Sequence, residues 1–190
     1  MYAYQKAILE IYPQIDYLTQ LYQNKIESIA VHSYGGKRSA AEIYEELIEL
    51  MDERSKLFGL QNIVRSFLSE CSEEERVLLE YRCFHRSELS ERIPDFHLRR
   101  NESAYFRKQN KLESKIRFFF QRNLYTESWF LEYAKNVRPV MHRYAGALFR
   151  EESDKSAKSG RTPDSEQSER NILKHLHKRL RSERSLKKVQ

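Results

Sequence analysis

The cationic and amide side chains between residues 91 and 122 are the groups in this sequence best suited to binding chemistry. From His97 to Arg122, nine Lys, Arg and His residues stand against two glutamates. Guanidinium and ammonium groups bind phosphates, and arginine, lysine and asparagine also hydrogen-bond to base edges in the major groove of DNA. The stretch therefore predicts binding to a polyanion, and nucleic acid is the first candidate.

A helical wheel for residues 102–122 separates the side chains of this stretch into two faces. The predicted inner face holds Tyr105, Leu112, Ile116, Phe119 and Phe120, and the predicted outer face holds Arg107, Asn110, Lys111 and Ser114. A helix that reads DNA needs one face anchored in a core and another free to reach bases and phosphates. Asn101 is a good N-cap for this helix. The alternative is an ordinary surface helix that happens to be basic.

Signatures of catalysis are absent from the sequence. It contains no GxxxxGK[ST], GxGxxG, HExxH or GxSxG motif. His175 and His177 would lie on different faces of a helix, which does not suit a shared metal ion. The run Glu73 to Glu75 is explained by the capping of a helix. We therefore expect no catalytic residue, no metal site and no cofactor, and we predict that the protein is not an enzyme.

Composition favours a helical protein outside the membrane. Of the 190 residues 33% are charged, and only five are Gly and four Pro; the mean hydropathy is −0.80. No apolar run approaches the roughly 20 residues that a bilayer-spanning helix requires. The first residues lack the pattern of a signal peptide, so we expect a cytoplasmic protein. Cys71 and Cys83 are expected to be reduced thiols, one at a helix boundary and one on an apolar face.

Residues 1–70 are predicted to form an antiparallel helical hairpin. One apolar stripe consists of Ile11, Ile15, Leu18, Tyr22, Ile26 and Ile29; a second consists of Ile43, Leu47, Leu50, Leu57, Val64 and Leu68, broadened by Met51, Phe58 and Phe67. Gly35 and Gly36 supply a turn between them, and Ser39 with Glu42 forms a capping box at the start of the second helix. The hairpin is either a bundle scaffold or a surface for dimerisation or partner docking.

Residues 71–150 are predicted to form a second helical unit. Ser72 and Glu75 form another capping box, followed by a helix whose inward side chains are predicted to be Val77, Leu78, Tyr81 and Phe84. A short helix then ends at Pro94. After the cationic helix, Thr126 can cap a closing helix that carries Trp129 in the core and is kinked or divided at Pro139.

The segment from about residue 70 to 122 resembles region 4 of bacterial sigma factors and the related helix-turn-helix domains of phage late-gene transcription regulators. Glu75-Arg76-Val77-Leu78-Leu79 and Tyr81-Arg82 are similar to the first element of that family, Glu88-Leu89-Ser90 through Ile93 to the second, and Ser103-Ala104-Tyr105-Phe106-Arg107 to the start of the recognition helix. The turn between the last two, "PDFHLRRN", is longer than the family's turn and lacks its glycine. The resemblance implies DNA binding in transcriptional regulation, in a bacterial, phage or mobile-element setting.

The same resemblance implies roles for individual side chains. Ser103, Arg107, Asn110 and Lys111 would face the major groove, with Ser114 in the same DNA-binding set, and Arg99, Arg100, Lys108 and Lys115 would neutralise phosphates. Double-stranded DNA is therefore the expected partner, and RNA polymerase is a further candidate.

Residues 151–190 are predicted to be a disordered linker followed by a basic tail. Residues 1–70 carry seven Lys/Arg against ten Asp/Glu, whereas residues 170–190 carry eight Lys/Arg against one Glu. Lys174, Lys178, Arg179 and Arg181 are candidate phosphate contacts, and Ile172, Leu176 and Leu180 fall on one line of a helix that would fold on a partner. Binding of this tail to the acidic first half of its own chain is the alternative.

The sequence thus predicts an all-α protein with an N-terminal antiparallel helical hairpin, a helix-turn-helix similar to sigma region 4, a closing helix and a disordered basic C-terminal tail. The preferred function is DNA-binding transcriptional regulation. A second hypothesis is a non-enzymatic helical adaptor, or a homodimer, that docks through the hairpin. A third is an RNA-binding protein that uses Tyr105, Phe106 and the basic helix.

Overall fold

A computed structural model describes residues 1–32, 39–84 and 102–158 of the chain. The helices are α1 (Ala3–Ile11), α2 (Ile15–His32), α3 (Ala40–Ser69), α4 (Glu73–Leu79), α5 (Glu102–Arg122), α6 (Glu127–Ala134) and α7 (Arg138–Lys158), with a 3₁₀ turn at Tyr12–Gln14 and a π-helical segment at Glu80–Phe84. No strand occurs in these ranges, which agrees with the all-α prediction. Within them, no helix combines the length and the apolar character that crossing a bilayer requires.

Helices α2 and α3 pack against each other in antiparallel orientation. Near the start of α2, Asp16 accepts a hydrogen bond from the Gln61 amide of α3 at 2.6 Å. Further along α2, Lys25 forms an ion pair with Glu46 at 3.2 Å. Residue numbers that rise along α2 therefore meet falling numbers along α3, which confirms the predicted hairpin. The connecting residues 33–38, with Gly35 and Gly36, lie outside the described ranges.

Both predicted capping boxes are present. At the start of α3, Ser39 Oγ accepts a hydrogen bond from the Glu42 backbone N–H, and the Glu42 carboxylate accepts one from the Ser39 N–H. Ser72 and Glu75 make the same two contacts at the start of α4. These contacts satisfy backbone donors that the first turn of a helix leaves free.

The predicted closing helix is divided in two. Thr126 caps α6 by accepting a hydrogen bond from the Trp129 N–H. The helix ends at Ala134, and α7 begins at Arg138 with Pro139 as its second residue. Proline is tolerated there because the first-turn N–H groups have no partner within the helix.

One hydrophobic core joins the two segments that were predicted as separate units. Helix α1 packs along α7, and the largest fully buried side chains of the core include Phe67, Phe119, Phe120, Phe130, Ile8 and Leu57. Residues 1–70 and 71–150 therefore share a core. Trp129 is only half-buried at its margin, where its ring lies 4.8 Å from Tyr125 and 4.9 Å from Tyr133.

Three side chains predicted to face inward are exposed instead: Met51, Phe58 and Tyr81. The first two lie on the side of α3 that faces away from α2. Tyr81 lies in the π-helical segment, whose turns hold more residues than those of an α-helix. The side chains of this segment therefore point in other directions than a 3.6-residue wheel predicts. Leu79 and Cys83 occupy the buried positions there.

Helix α7 extends beyond the point where the linker was predicted to begin. It reaches Lys158, so residues 151–158 are helical rather than disordered. Arg150 anchors this part on α1, because its guanidinium donates to both carboxylate oxygens of Glu10 at 2.9 and 2.7 Å. Glu10 is 7% exposed, and a buried carboxylate requires such a partner. The contact spans 140 positions of the chain. Residues 159–190 lie outside the described ranges.

Gly59 of α3 accommodates the Tyr133 side chain of α6. A methyl group on Gly59 would lie 2.0 Å from Tyr133 Oη and 3.1 Å from Cζ. Alanine favours a helix over glycine by about 1 kcal/mol, but overpacking typically costs about 1–3 kcal/mol. We expect Gly59→Ala to lower the free energy of unfolding in urea. The Tyr133→Phe background lacks Oη, the atom closest to the added methyl group, so there the loss of unfolding free energy should be smaller or become a gain. Equal losses in both backgrounds would exclude the contact with Tyr133 as the cause.

Candidate nucleic-acid interface

The inner face of α5 anchors this helix in the core. Leu112, Ile116, Phe119 and Phe120 are all buried, and Tyr105 packs against the core at its edge. The faces predicted from the helical wheel are therefore confirmed for the apolar side. Four large buried side chains along 21 residues fix both the position and the rotation of α5 about its axis.

The opposite face of α5 is open to solvent. Arg107, Asn110, Lys111 and Ser114 are exposed, as the wheel predicts. Neither Arg107 nor Lys111 forms an ion pair with another described residue. Ser114 Oγ donates to the Asn110 carbonyl at 3.0 Å. The cations of this face are thus available to an external anion.

Lys115, predicted to contact phosphate, is bound within the protein. Its ammonium group donates to the Glu75 carboxylate at 2.6 Å and to the Glu70 carbonyl at 2.7 Å. Partial burial opposes ionisation of Glu75, but the hydrogen bonds from Lys115 and from the Ser72 backbone outweigh it and lower the pKa of Glu75. Lys115 therefore joins α5 to the α3–α4 corner instead of presenting its charge outward.

Lys108 and Arg122 lie on the same side of α5 as Lys115, each seven residues away. Seven residues make almost two turns, so the three cations form one row along the helix. Lys108 pairs with Glu74 of α4 at 3.0 Å, and Arg122 pairs with Glu70 at the end of α3. The Lys108 pair is largely exposed and contributes little by itself. The row marks the side of α5 that faces α4 and the end of α3.

Glu113 holds a second group of charges on another side of α5. Its carboxylate lies 3.1 Å from the Met1 amino group, 2.6 Å from Arg82 and 3.6 Å from Arg117. Burial opposes its ionisation, yet the hydrogen bonds from the Met1 amino group and from Arg82 prevail and lower the pKa of Glu113. Arg82 thus connects the π-helical segment to α5.

Acid is expected to weaken the attachment of α5. Because the pKa values of Glu75 and Glu113 lie below that of an ordinary glutamate side chain, the stability from these ionised carboxylates is fully present above that ordinary value. It is lost as the pH falls through the folded-state values. Urea denaturation at pH 7, 4.5 and 3 should show a progressive loss of the free energy of unfolding. The variant Glu75→Gln/Glu113→Gln should be less stable at pH 7, and its free energy of unfolding should depend less on pH. An unchanged pH dependence would show that these two carboxylates are not its cause.

Two aromatic side chains of α5 are exposed beside its charged face. Phe106 and Phe118 are 56% and 62% exposed, and the Phe106 ring makes an edge contact with Tyr105 at 5.6 Å. Exposed rings next to cations are a feature of single-strand binding proteins, which stack bases on aromatics. The RNA-binding hypothesis would use Phe106.

Several predicted site residues fall outside the described part of the chain. These are Arg99, Arg100 and the tail residues Lys174, Lys178, Arg179 and Arg181. Ser103 lies in the first turn of α5. The turn 94–101 and the short helix predicted before it also fall outside. Of the predicted helix-turn-helix, the described residues therefore comprise only the first predicted helix and the helix predicted to read DNA. No group of three His, Cys, Asp or Glu side chains suited to a metal ion occurs within the described ranges.

The hairpin carries two surfaces that the sequence interpretation missed. On one flank of α3, the exposed side chains Tyr44, Ile48, Met51 and Phe58 form an apolar row. Their positions are separated by four, three and seven residues, a spacing that places them on one side of a helix. Met51 and Phe58 were predicted to broaden the packed stripe of α3, whereas Tyr44 and Ile48 were not assigned to a face. On the other flank, α2, α3 and the start of α7 enclose a groove of about 700 Å³.

No protein-family model matches this chain, and comparisons with curated proteins and with solved structures likewise give no match.

Proposed function

We propose that the protein binds double-stranded DNA through the outer face of α5 and acts in transcriptional regulation. The observation that carries the proposal is the exposure of Arg107 and Lys111 on a helix whose opposite face is buried. The two cations lie one turn apart and pair with no described carboxylate. A rigid helix with a free cationic face is the arrangement that major-groove recognition requires.

The side chains of this face suit base recognition as well as phosphate binding. Arginine and lysine bind the acceptor edge of guanine, and asparagine binds adenine through two hydrogen bonds. Arg107, Asn110 and Ser114 lie on one face within eight residues, which span about 10 Å along the helix at 1.5 Å per residue. An α-helix with its side chains is about 10–12 Å across, which matches the width of the major groove, about 12 Å.

The neighbouring charges have separate roles in the proposal. Arg99, Arg100, Lys108 and the tail cations would neutralise phosphates and add affinity that does not depend on sequence. The exposed surface pair of Lys108 with Glu74 leaves that role open to Lys108. Lys115 is a positioning residue, because its ammonium group is bound to Glu75. A transcriptional role, with RNA polymerase as a candidate partner, rests on the resemblance to sigma region 4.

Binding of the full chain to a fluorescently labelled duplex, followed by anisotropy over a salt series, tests this proposal. We expect binding that weakens linearly in log–log coordinates as salt rises, because counterions leave the duplex. Unlabelled duplex should compete better than single-stranded RNA. No duplex affinity at low salt would exclude the proposal. Preferential competition by single-stranded RNA would favour base stacking on Phe106 instead.

A second candidate is a protein-docking or dimerisation role for the hairpin. The observation that favours it is the exposed row of Tyr44, Ile48, Met51 and Phe58 along α3. Their spacings of four, three and seven residues fit the seam between two packed helices. If a second copy covers the row, light scattering should give twice the monomer mass, and Ile48→Glu should restore the monomer. Monomeric behaviour at all concentrations would exclude the homodimer.

A further inference from the structure

The groove beside α3 is lined by both apolar and acidic side chains. Its apolar lining, called the floor below, includes Leu18, Leu21 and Leu50, and Arg138 and Pro139 of α7 also line it. Leu21 is 50% exposed, although it stands next to the packed stripe of the hairpin. The free energy falls when another apolar group covers such a side chain and removes it from water.

Five glutamates of α3 form the acidic lining, called the rim below: Glu42, Glu45, Glu46, Glu49 and Glu53. Among the described residues that line the groove, Lys25 and Arg138 are the cations. Lys25 pairs with Glu46 at 3.2 Å, and Glu53 accepts a hydrogen bond from Tyr22 at 2.5 Å.

Glu45 and Glu49 are exposed, and neither pairs with another described residue. Carboxylates four residues apart on a helix repel each other, so a cation between these two would relieve the repulsion. The rim is therefore complementary to a basic segment.

The C-terminal segment 170–190 has the matching chemistry. It carries eight Lys/Arg against one Glu. Ile172, Leu176 and Leu180 recur every four residues, so a helix formed on binding would place them on one side and direct cations to both flanks. Its apolar line would meet the floor of the groove, and its cations would meet the glutamates.

The chain is long enough for this segment to return to the groove. Helix α7 has 21 residues and measures about 31 Å at 1.5 Å per residue. It begins at the groove, with Arg138, and ends at Lys158. Residues 159–169 span at most about 36–40 Å when extended, at 3.3–3.6 Å per residue. The segment that follows residue 169 can therefore reach the Arg138 end of the groove of its own chain.

We propose that the groove between α2 and α3 is the docking site of residues 170–190 of the same chain. In the docked state the tail cations are held by the glutamates of α3. This inference does not need DNA binding to be correct. If the proposed function holds, docking withdraws cations from DNA, and DNA releases the tail, because the two polyanionic surfaces compete for one segment.

Energy transfer from Trp129 to a labelled tail tests the inference in the full chain. Trp129 is the single tryptophan, and it stacks on Tyr133, whose hydroxyl donates to the Lys56 carbonyl one turn from Glu53. A dansyl acceptor attached at Ser182→Cys reports the tail. The native thiols react slowly, because burial raises the pKa of Cys71 to about 11 and that of Cys83 to about 12.

We expect transfer that is strong at low salt, does not depend on protein concentration and falls at least about twofold in Glu45→Gln/Glu49→Gln. The matched control is Glu73→Gln/Glu152→Gln, which removes the same charge from exposed positions outside the groove and should retain the transfer. Circular dichroism verifies that both variants fold.

Three results would overturn the inference. Equal transfer in the groove variant and the unaltered chain would place the tail elsewhere. Equal losses in the groove variant and the control would show a non-specific charge effect. Transfer that rises with protein concentration would assign the groove to the tail of a second copy. None of these measurements includes DNA, so their outcome is independent of the proposed function.

Discussion

Replacing Arg107 and Lys111 together by alanine is expected to lower the affinity for a specific duplex by roughly 100-fold, without a measurable change in stability. A hydrogen-bonded contact of such a side chain with a base edge contributes about 1–3 kcal/mol to binding, and about 1.4 kcal/mol corresponds to a tenfold change in the dissociation constant. Both side chains are exposed and pair with no described carboxylate, so their removal leaves the core and its ion pairs intact. The loss should therefore appear in binding rather than in urea denaturation.

The salt dependence of the variant separates two ways in which these cations could act. If they contact phosphates, the slope of log K against log salt should decrease by about 2, and all duplexes should lose affinity equally. If they read bases, the slope should remain nearly unchanged, and discrimination among duplexes should be lost. Arg65→Ala/Arg143→Ala removes two cations from α3 and α7 and serves as the control. A control that loses as much affinity as the Arg107/Lys111 variant would remove α5 as the interface.

The second large effect is expected inside α5, in the run Phe118-Phe119-Phe120. Phe120 is 1% exposed and contacts the rings of Tyr4 and Tyr125 at 5.9 and 6.0 Å. Phe120→Ala should lower the free energy of unfolding by about 3–5 kcal/mol, because it removes apolar contacts and leaves a cavity. Phe118, two residues earlier, is 62% exposed and touches the Arg122 guanidinium. Phe118→Ala should cost no more than about 1 kcal/mol.

Urea denaturation followed by the fluorescence of Trp129 measures both values. The comparison is matched, because the two substitutions remove the same side chain from the same helix. Similar losses at Phe118 and Phe120 would contradict the rotation of α5 on which the exposure of Arg107 depends. The stability of this helix and the proposed interface are therefore tested by one pair of variants.

The faces of α5 could be predicted from the sequence because they depend on local periodicity. Leu112, Ile116 and Phe119 recur at steps of three and four, and this spacing alone places Arg107 and Lys111 outside. The capping boxes at Ser39 and Ser72 are equally local, since each involves residues three positions apart. Patterns within a few turns of helix therefore carried most of the correct predictions.

The contacts that the sequence did not reveal join residues that lie far apart in the chain. Lys115 meets Glu75, 40 positions earlier, and Lys108 meets Glu74, 34 positions earlier. A helical wheel does not show which carboxylate a distant part of the chain brings to a cation. The seven-residue spacing of Lys108, Lys115 and Arg122 does, however, indicate that these three cations form one row along the helix. Tyr81 was misplaced because a π-helical segment interrupts the 3.6-residue period on which the wheel depends.

The pairing of α1 with α7 also determines when the protein can fold during its synthesis. The partner of Glu10 is Arg150, and the apolar residues of α1 lie against a helix that is among the last described elements of the chain. Ribosomes add about 5–20 residues per second, so the 140 intervening residues take about 7–30 s. Throughout that interval the apolar face of α1 lacks α7, the helix with which it makes its most extensive contact. The last part of the core therefore closes only after α7 has been synthesised.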